Sequence, residues 1–190
     1  MRYLGGRRSQ LSGKSLGGPQ RRRMTNDPQA NPDPARPVPE AANLGVARPP
    51  LAYLSSLALG VILHFVWPIS VLPPGLTPGL GATVVLLAIG LFLFAIRTFR
   101  AAGTPVPGNR PTTTIVRTGP YRFSRNPIYL AFSLLQLGIA LWVNSLWVVL
   151  TLLASVALMS LVVIPREERY LEARFPSEYP PYKASVRRWL

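Results

Sequence analysis

The chemistry available to this chain is narrow. Its 190 residues contain no cysteine and one histidine, His64, which excludes a thiol nucleophile, a disulfide and a Cys/His metal cluster. There is no P-loop, HExxH or GxSxG pattern. The reactive groups that remain fall in two segments. One holds Tyr121, Arg125, Asn126, Pro127, Tyr129 and Leu130. The other starts at the adjacent pair Glu167-Glu168 and runs through Tyr182 to Arg188. Two neighbouring carboxylates on a face otherwise populated by arginine favour a specific cationic partner. Arg125 lies between a turn and a helix start, which favours a functional role. The same residues have plainer readings. Asn126-Pro127 forms an N-cap followed by a first-turn proline. Pro165 ahead of Glu167-Glu168 forms another helix start, with acids at the positive dipole end. Tyr121 and Tyr129 fit an interfacial aromatic belt as well as a ligand wall, and Tyr182 and Arg188 fit a solvated tail helix.

The elements that carry these groups are apolar. Apolar residues make up 48% of the chain and charged residues 15%, against roughly a quarter charged in soluble domains. No acid lies between Glu40 and Glu167, and no Lys or Arg lies between Arg48 and Arg97 or between Arg125 and Arg166. Four spans result, at about 51–69, 80–96, 128–143 and 146–164. Each has close to the ~20 residues needed to cross ~30 Å of hydrocarbon. The expected fold is an all-α integral membrane domain over residues 49–190, with about four transmembrane helices and a short cytoplasmic C-terminal helix. A Pro/Gly-rich turn follows the first span, and Asn144-Ser145 breaks the third from the fourth. Both links are uncharged. The 97–125 link carries six Arg and no acid, and the segment from Arg166 carries six Lys/Arg and four Glu. The positive-inside rule puts both termini and these segments on the cytoplasmic side. His64 lies in the first span, far from the other polar groups. It is expected near the interface or in an interhelical hydrogen bond.

Residues 1–48 are basic and Pro/Gly-rich, with few aromatics, and are expected to be disordered. The change from Arg/Gly-rich to Pro/Asp/Asn-rich sequence at Met24 marks that methionine as a candidate true start. The formal net charge of +14 is dispersed in clusters between apolar spans, which argues against nucleic acid as a partner.

The stretch Gly119-Pro120-Tyr121-Arg122-Phe123-Ser124-Arg125-Asn126-Pro127-Ile128-Tyr129-Leu130-Ala131 is followed about 40 residues later by Glu167-Glu168, Leu171, Phe175, Tyr179, Tyr182, Val186 and Arg188. Together these resemble the isoprenylcysteine carboxyl methyltransferase family and its phospholipid methyltransferase relatives, over about residues 80–190. That family shows GPYxxxRHPxYxG, then a Glu-Glu pair, then spaced tyrosines ending in VxR. Arg100-Ala101-Ala102-Gly103-Thr104-Pro105-Val106 resembles the segment before the motif in bacterial members. The chain departs at Asn126 for the family histidine, Ala131 for glycine and Phe175-Pro176 for Phe-Gly. The Arg-Asn-Pro form resembles bacterial-type members, which implies a bacterial inner membrane.

The resemblance implies S-adenosylmethionine as methyl donor and a lipid or lipid-linked acceptor, with no metal. It assigns Tyr121, Arg125, Asn126, Pro127, Tyr129, Leu130, Glu167 and Glu168 to the cofactor, Arg125 and Asn126 to catalysis, and Tyr182 and Arg188 to the substrate. Glu167 or Glu168 suits the cofactor's amine. Arg125 and the start of the third helix suit its carboxylate. Asn126 can donate a hydrogen bond but cannot carry a proton near neutral pH. A carboxylate acceptor of isoprenylcysteine type needs no base, and the absence of a histidine on this face tilts toward it. A phospholipid amine would need Glu167, Glu168 or a tyrosine as base. An NADPH-dependent reductase of the sterol-reductase type and a non-enzymatic membrane protein are the competing readings.

Overall fold

The computed structural model describes residues 48–73, 75–104 and 112–190, and every regular element among them is helical. The expectations for the N-terminal segment and Met24 lie outside the described residues, apart from Arg48, which holds the N-cap position of the first helix. The helices are α1 (Pro49–Val66), α2 (Thr77–Ala101), α3 (Pro127–Trp142), α4 (Leu146–Leu158), α5 (Ile164–Arg174) and α6 (Tyr179–Ser185). A 3-10 turn, Gly119–Arg122, precedes α3, and a π-helical turn, Met159–Val163, joins α4 to α5.

α1 ends three residues short of its expected span, at Val66, and α2 starts three residues early, at Thr77; two further boundaries differ more. α2 continues past Ile96 to Ala101, because Arg97 and Arg100 fall in its last turns, where cations suit the negative end of the helix dipole. Pro165 does not open a separate helix. The rod from Leu146 to Arg174 is continuous. Proline normally clashes with the preceding turn and removes a hydrogen bond. Here the wider π turn absorbs it, and Ile164 donates its N–H to the Met159 carbonyl, five residues back. Glu167 and Glu168 therefore project from the charged extension of a span, not from a free helix N-terminus.

α1, α2 and the Leu146–Arg174 rod are long and apolar enough to cross a membrane. α3 is a shorter apolar helix of 16 residues, about 24 Å at 1.5 Å per residue. Large apolar side chains such as Leu54, Ile62, Phe65, Leu86, Leu87 and Leu161 face outward. An all-round apolar surface of this kind suits hydrocarbon, not water.

α2 packs mainly on α3, and α1 on α4, with α3 against α4 between them. Small residues set the closest crossings, as is usual where lipid supplies no hydrophobic drive between helices. A Cβ on Gly81 would stand 2.5 Å from the Trp142 nitrogen, and one on Gly138 would stand 2.8 Å from the Val85 nitrogen. Ala88, Ala95, Ala131 and Ala140 are buried along the seams. Polar side chains then join the helices. Ser155 Oγ donates to Ser56 Oγ (2.7 Å), Ser56 Oγ donates to Gln136 Oε1 (3.1 Å), and Gln136 Nε2 donates to Thr151 Oγ1 (3.3 Å). Tyr53 Oη and Ser133 Oγ share a further bond at 2.8 Å.

At the uncharged end, Asn144 takes a left-handed conformation, φ 51°, that asparagine tolerates better than most residues. Its Oδ1 accepts from Val71 N and Leu72 N, both at 2.9 Å, and its Nδ2 donates to the Leu72 carbonyl at 2.7 Å. The side chain thus clamps the α1–α2 loop to the α3–α4 turn. His64 lies in the last turn of α1, and its Nδ1 is buried with no hydrogen-bond partner among the described residues, so of its two expected settings the interhelical hydrogen bond through that atom is not formed.

Candidate functional site

The Gly-Pro-Tyr motif is a sharp turn laid against α2. Gly119 has φ +57°, and a Cβ there would meet Thr98 Oγ1 at 2.7 Å, so both backbone and space require glycine. The turn buries Tyr121 edge-on against Phe99, with centroids 4.8 Å apart, in a cluster with Ala95 and Val116. Tyr182 of α6 donates its Oη to the Tyr121 carbonyl at 2.9 Å, and Arg117 Nη2 donates to the Glu178 carbonyl at 2.6 Å. These bonds dock α6 onto the turn.

The chain then enters α3 through Ser124-Arg125-Asn126-Pro127. Asn126 occupies the N-cap position with Pro127 at the first helical position, but its side chain makes no cap bond. This corrects the capping reading. Asn126 Nδ2 instead donates to the Arg188 carbonyl at 3.0 Å, and Asn126 N donates to Ser124 Oγ at 3.1 Å. A neighbouring main-chain bond, Arg125 N to the Arg187 carbonyl at 3.0 Å, holds the same segment. Val186–Leu190 thereby forms a strap across the start of α3.

Glu168 is the electrostatic centre. It is buried, yet it carries three cations. Arg188 forks onto it, with Nε to Oε1 at 3.0 Å and Nη2 to Oε2 at 2.9 Å. Arg125 Nη1 lies 3.1 Å from Oε1, and Lys183 Nζ lies 3.3 Å from Oε2. Burial alone would raise its pKa. The Arg188 hydrogen bond and the charges of Arg125, Arg188 and Lys183 outweigh burial and hold the carboxyl below its ordinary value. Glu167, beside it, has no cation among the described residues. Burial pushes it up to about 7; the bond from Tyr129 opposes this and the Glu168 charge adds to it. Tyr129 Oη donates to Glu167 Oε1 at 2.5 Å. Two adjacent carboxyls thus have opposite characters, one fixed as an anion and one poised to exchange a proton.

Two buried donors point at no acceptor among the described residues: Tyr121 Oη and Arg125 Nε. Buried polar groups are rarely left unpaired, so each of these donors is open to a ligand acceptor. Arg125 itself is held by Glu168 and by Tyr179 Oη at 3.5 Å.

The structure therefore brings Tyr121, Arg125, Asn126, Tyr129, Glu167, Glu168, Tyr182 and Arg188 to one end of the bundle, through the bonds above. Pro127 is buried in the first turn of α3. Leu130 is half-buried in the same turn, and its N–H closes that turn onto the Asn126 carbonyl at 3.0 Å. Lys183, Ser160 and Trp189 were not singled out in the sequence, and Tyr179 and Ser124 stood in the motifs without a site role. Lys183 stands four residues after Tyr179 on one α6 face, which is a readable signal. Ser160 and Trp189 carry no local signal, since their meeting depends on the fold. Trp189 Nε1 donates to Ser160 Oγ at 3.1 Å, and its ring packs on the cluster of Tyr53, Tyr129, Met159, Val163 and Ile164.

A helical membrane bundle whose one end holds two adjacent carboxyls, Glu168 bound by three cations and Glu167 by Tyr129, defines the class of protein. The phospholipid methyltransferase family matches residues 76–178, more than half of the chain. An uncharacterized protein of Haemophilus influenzae is 38% identical over 63 residues, which is 33% of this chain and 100% of that protein. The cobalt-zinc-cadmium resistance protein CzcN of Cupriavidus metallidurans is 38% identical over 73 residues, 38% of this chain and 33% of the relative's length. The chain belongs to the phospholipid methyltransferase family, and with it to the membrane methyltransferases of lipid-type substrates.

Proposed function

We propose that this protein transfers a methyl group from S-adenosylmethionine to a lipid or lipid-linked acceptor at the cytoplasmic face of a bacterial inner membrane. The observation that carries the reading is the presence, at one end of an apolar bundle, of a Glu167 carboxyl that no cation among the described residues holds and of two donors without a partner there, Tyr121 Oη and Arg125 Nε. This donor and acceptor set fits an amino acid moiety: Glu167 would take the ammonium, and Tyr121 and Arg125 the carboxylate. The cofactor supplies a sulfonium-bound methyl that is already electrophilic. The chain's own residues bind and orient it and exclude water. Family membership supports methyl transfer over the reductase reading.

The acceptor is proposed first as a carboxylate of isoprenylcysteine type. An anionic acceptor needs no base, and Asn126, whose amide N–H donates to the Arg188 carbonyl, cannot take up or release a proton near neutral pH. One observation favours a second acceptor, a phospholipid amine. In that reading Glu167, pushed up to about 7 by burial, removes a proton from the acceptor's ammonium near neutral pH and does not hold the cofactor's ammonium, since one carboxyl cannot fill both roles. The two readings differ in their pH profiles: kcat rises through about 7 for an amine and is flat there for a carboxylate. The donor itself is tested by calorimetric titration of purified protein with S-adenosylhomocysteine. Binding is expected, weakened by Arg125→Ala and Glu168→Gln; no binding in several detergents and in lipid nanodiscs would overturn the proposal.

A further inference from the structure

The π turn sits next to the site and leaves one backbone group over. Ile164 donates to the Met159 carbonyl, five residues back. The same register carried one step on would pair position 165 with the Ser160 carbonyl. Position 165 is proline and has no N–H to give. A carbonyl left open in this way needs another donor. Arg188 supplies it, with Nη1 donating to the Ser160 carbonyl at 3.4 Å while its Nε and Nη2 fork onto Glu168. Trp189 adds a second bond to the same residue through Ser160 Oγ.

From this we infer that Pro165 is a positioning residue: it frees the Ser160 carbonyl to anchor Arg188, and Arg188 in turn fixes Glu168 and closes the Val186–Trp189 strap over the carboxylate site. All three polar nitrogens of the Arg188 guanidinium are then used, two on the carboxylate and one on the carbonyl. The strap's main chain is held from the other side by Asn126 Nδ2, Arg125 N and Ser124 Oγ. Alanine at 165 would return an N–H that competes for the Ser160 carbonyl. Arg188 would lose one of its two anchors, and the strap would lift more often without any change at the carboxylates themselves. That the strap covers a cofactor rests on the function proposed above. The anchoring does not, and its test needs no cofactor, so the failure of one is distinguishable from the failure of the other.

The absence of cysteine makes the test clean. Ser124 is 2% exposed and lies beneath the strap, its Oγ 3.5 Å from the Arg188 carbonyl. Maleimide labelling of S124C in the full chain therefore reads strap opening. S145C, fully buried at the opposite end, reads opening of the bundle. S124C should be protected in the parent. Adding Pro165→Ala or Arg188→Ala should raise its rate roughly tenfold or more, the scale of one lost charge-assisted hydrogen bond. The double variant should label no faster than Arg188→Ala alone, because both changes remove the same contact. S145C should stay protected throughout. A parent rate in Pro165→Ala, or multiplied rates in the double variant, would overturn the inference. If a variant also exposes S145C, Arg188→Lys decides, since it keeps the charge but cannot fork to Ser160. Exposure of S124C alone then upholds the strap anchor, and protection of S124C overturns it.

Discussion

Glu168→Gln is the perturbation that most sharply separates the two carboxyls. The substitution keeps shape and removes one negative charge from among three cations. Removing one partner of a buried ion pair costs about 3–5 kcal/mol, mostly because the other charge is stranded. The stranding here is partial. The side chains of Arg188 and Lys183 are 37% and 36% exposed and can turn to solvent, and Lys183 keeps Glu172 at 2.8 Å. Arg125, at 10%, cannot turn away so readily. The expected loss is therefore at the lower limit, about 3 kcal/mol, or roughly a hundredfold in the unfolding equilibrium. Glu167→Gln should cost less than about 1 kcal/mol, since an amide oxygen still accepts from Tyr129 Oη and no cation is stranded. Equilibrium unfolding in mixed micelles measures both. Equal losses in the two variants would refute the assignment of Glu168 as the fixed anion.

Other consequences follow from the same geometry. Because Glu167 is raised from 4.5 to about 7 in the fold, the native state holds its proton more tightly than the unfolded chain does. Stability should fall as pH rises through that window and level off above it, and Glu167→Gln should remove this slope in pH-dependent unfolding. Glu168 has the opposite sign: its lowered value should add a loss of stability on acidification below about 4, absent in Glu168→Gln. Gly81→Ala should cost about 1–3 kcal/mol in the same unfolding assay, because its Cβ would meet the backbone of Trp142 and not a movable side chain. Asn144→Ala should cost about 2 kcal/mol by losing the loop clamp, and hydrogen exchange should rise at Val71 and Leu72.

How far the sequence foretold these features depends on how local their causes are. The spans were readable because charge exclusion from hydrocarbon is a composition effect: α3 begins and ends within a residue of its apolar run, and α4 begins where its run begins. Motif order led to the expectation that Tyr121, Arg125, Glu167 and Glu168 share one site; the bundle brings these side chains to one end, and their role there belongs to the proposed function. The continuity of the Leu146–Arg174 rod was hidden, since proline after an apolar run reads as a boundary, and only the π turn makes room for it. The side chain of Asn126 was misread for a similar reason. Asn-Pro predicts a cap, while the actual acceptor is a carbonyl 62 residues away. The cation cage of Glu168 was half visible: Arg125 and Arg188 were singled out, but Lys183 needed the docking of α6. The Asn144 clamp is likewise a tertiary contact that a polar break in the sequence marks without explaining.

The central claim, methyl transfer to a membrane lipid, is tested most directly with purified protein in nanodiscs of bacterial lipid and S-adenosylmethionine labelled in its methyl group. The account predicts label in the organic extract, reduced in Arg125→Ala and Glu168→Gln, with stoichiometric release of S-adenosylhomocysteine. An extract that stays unlabelled, from protein that also fails to bind S-adenosylhomocysteine, would contradict it.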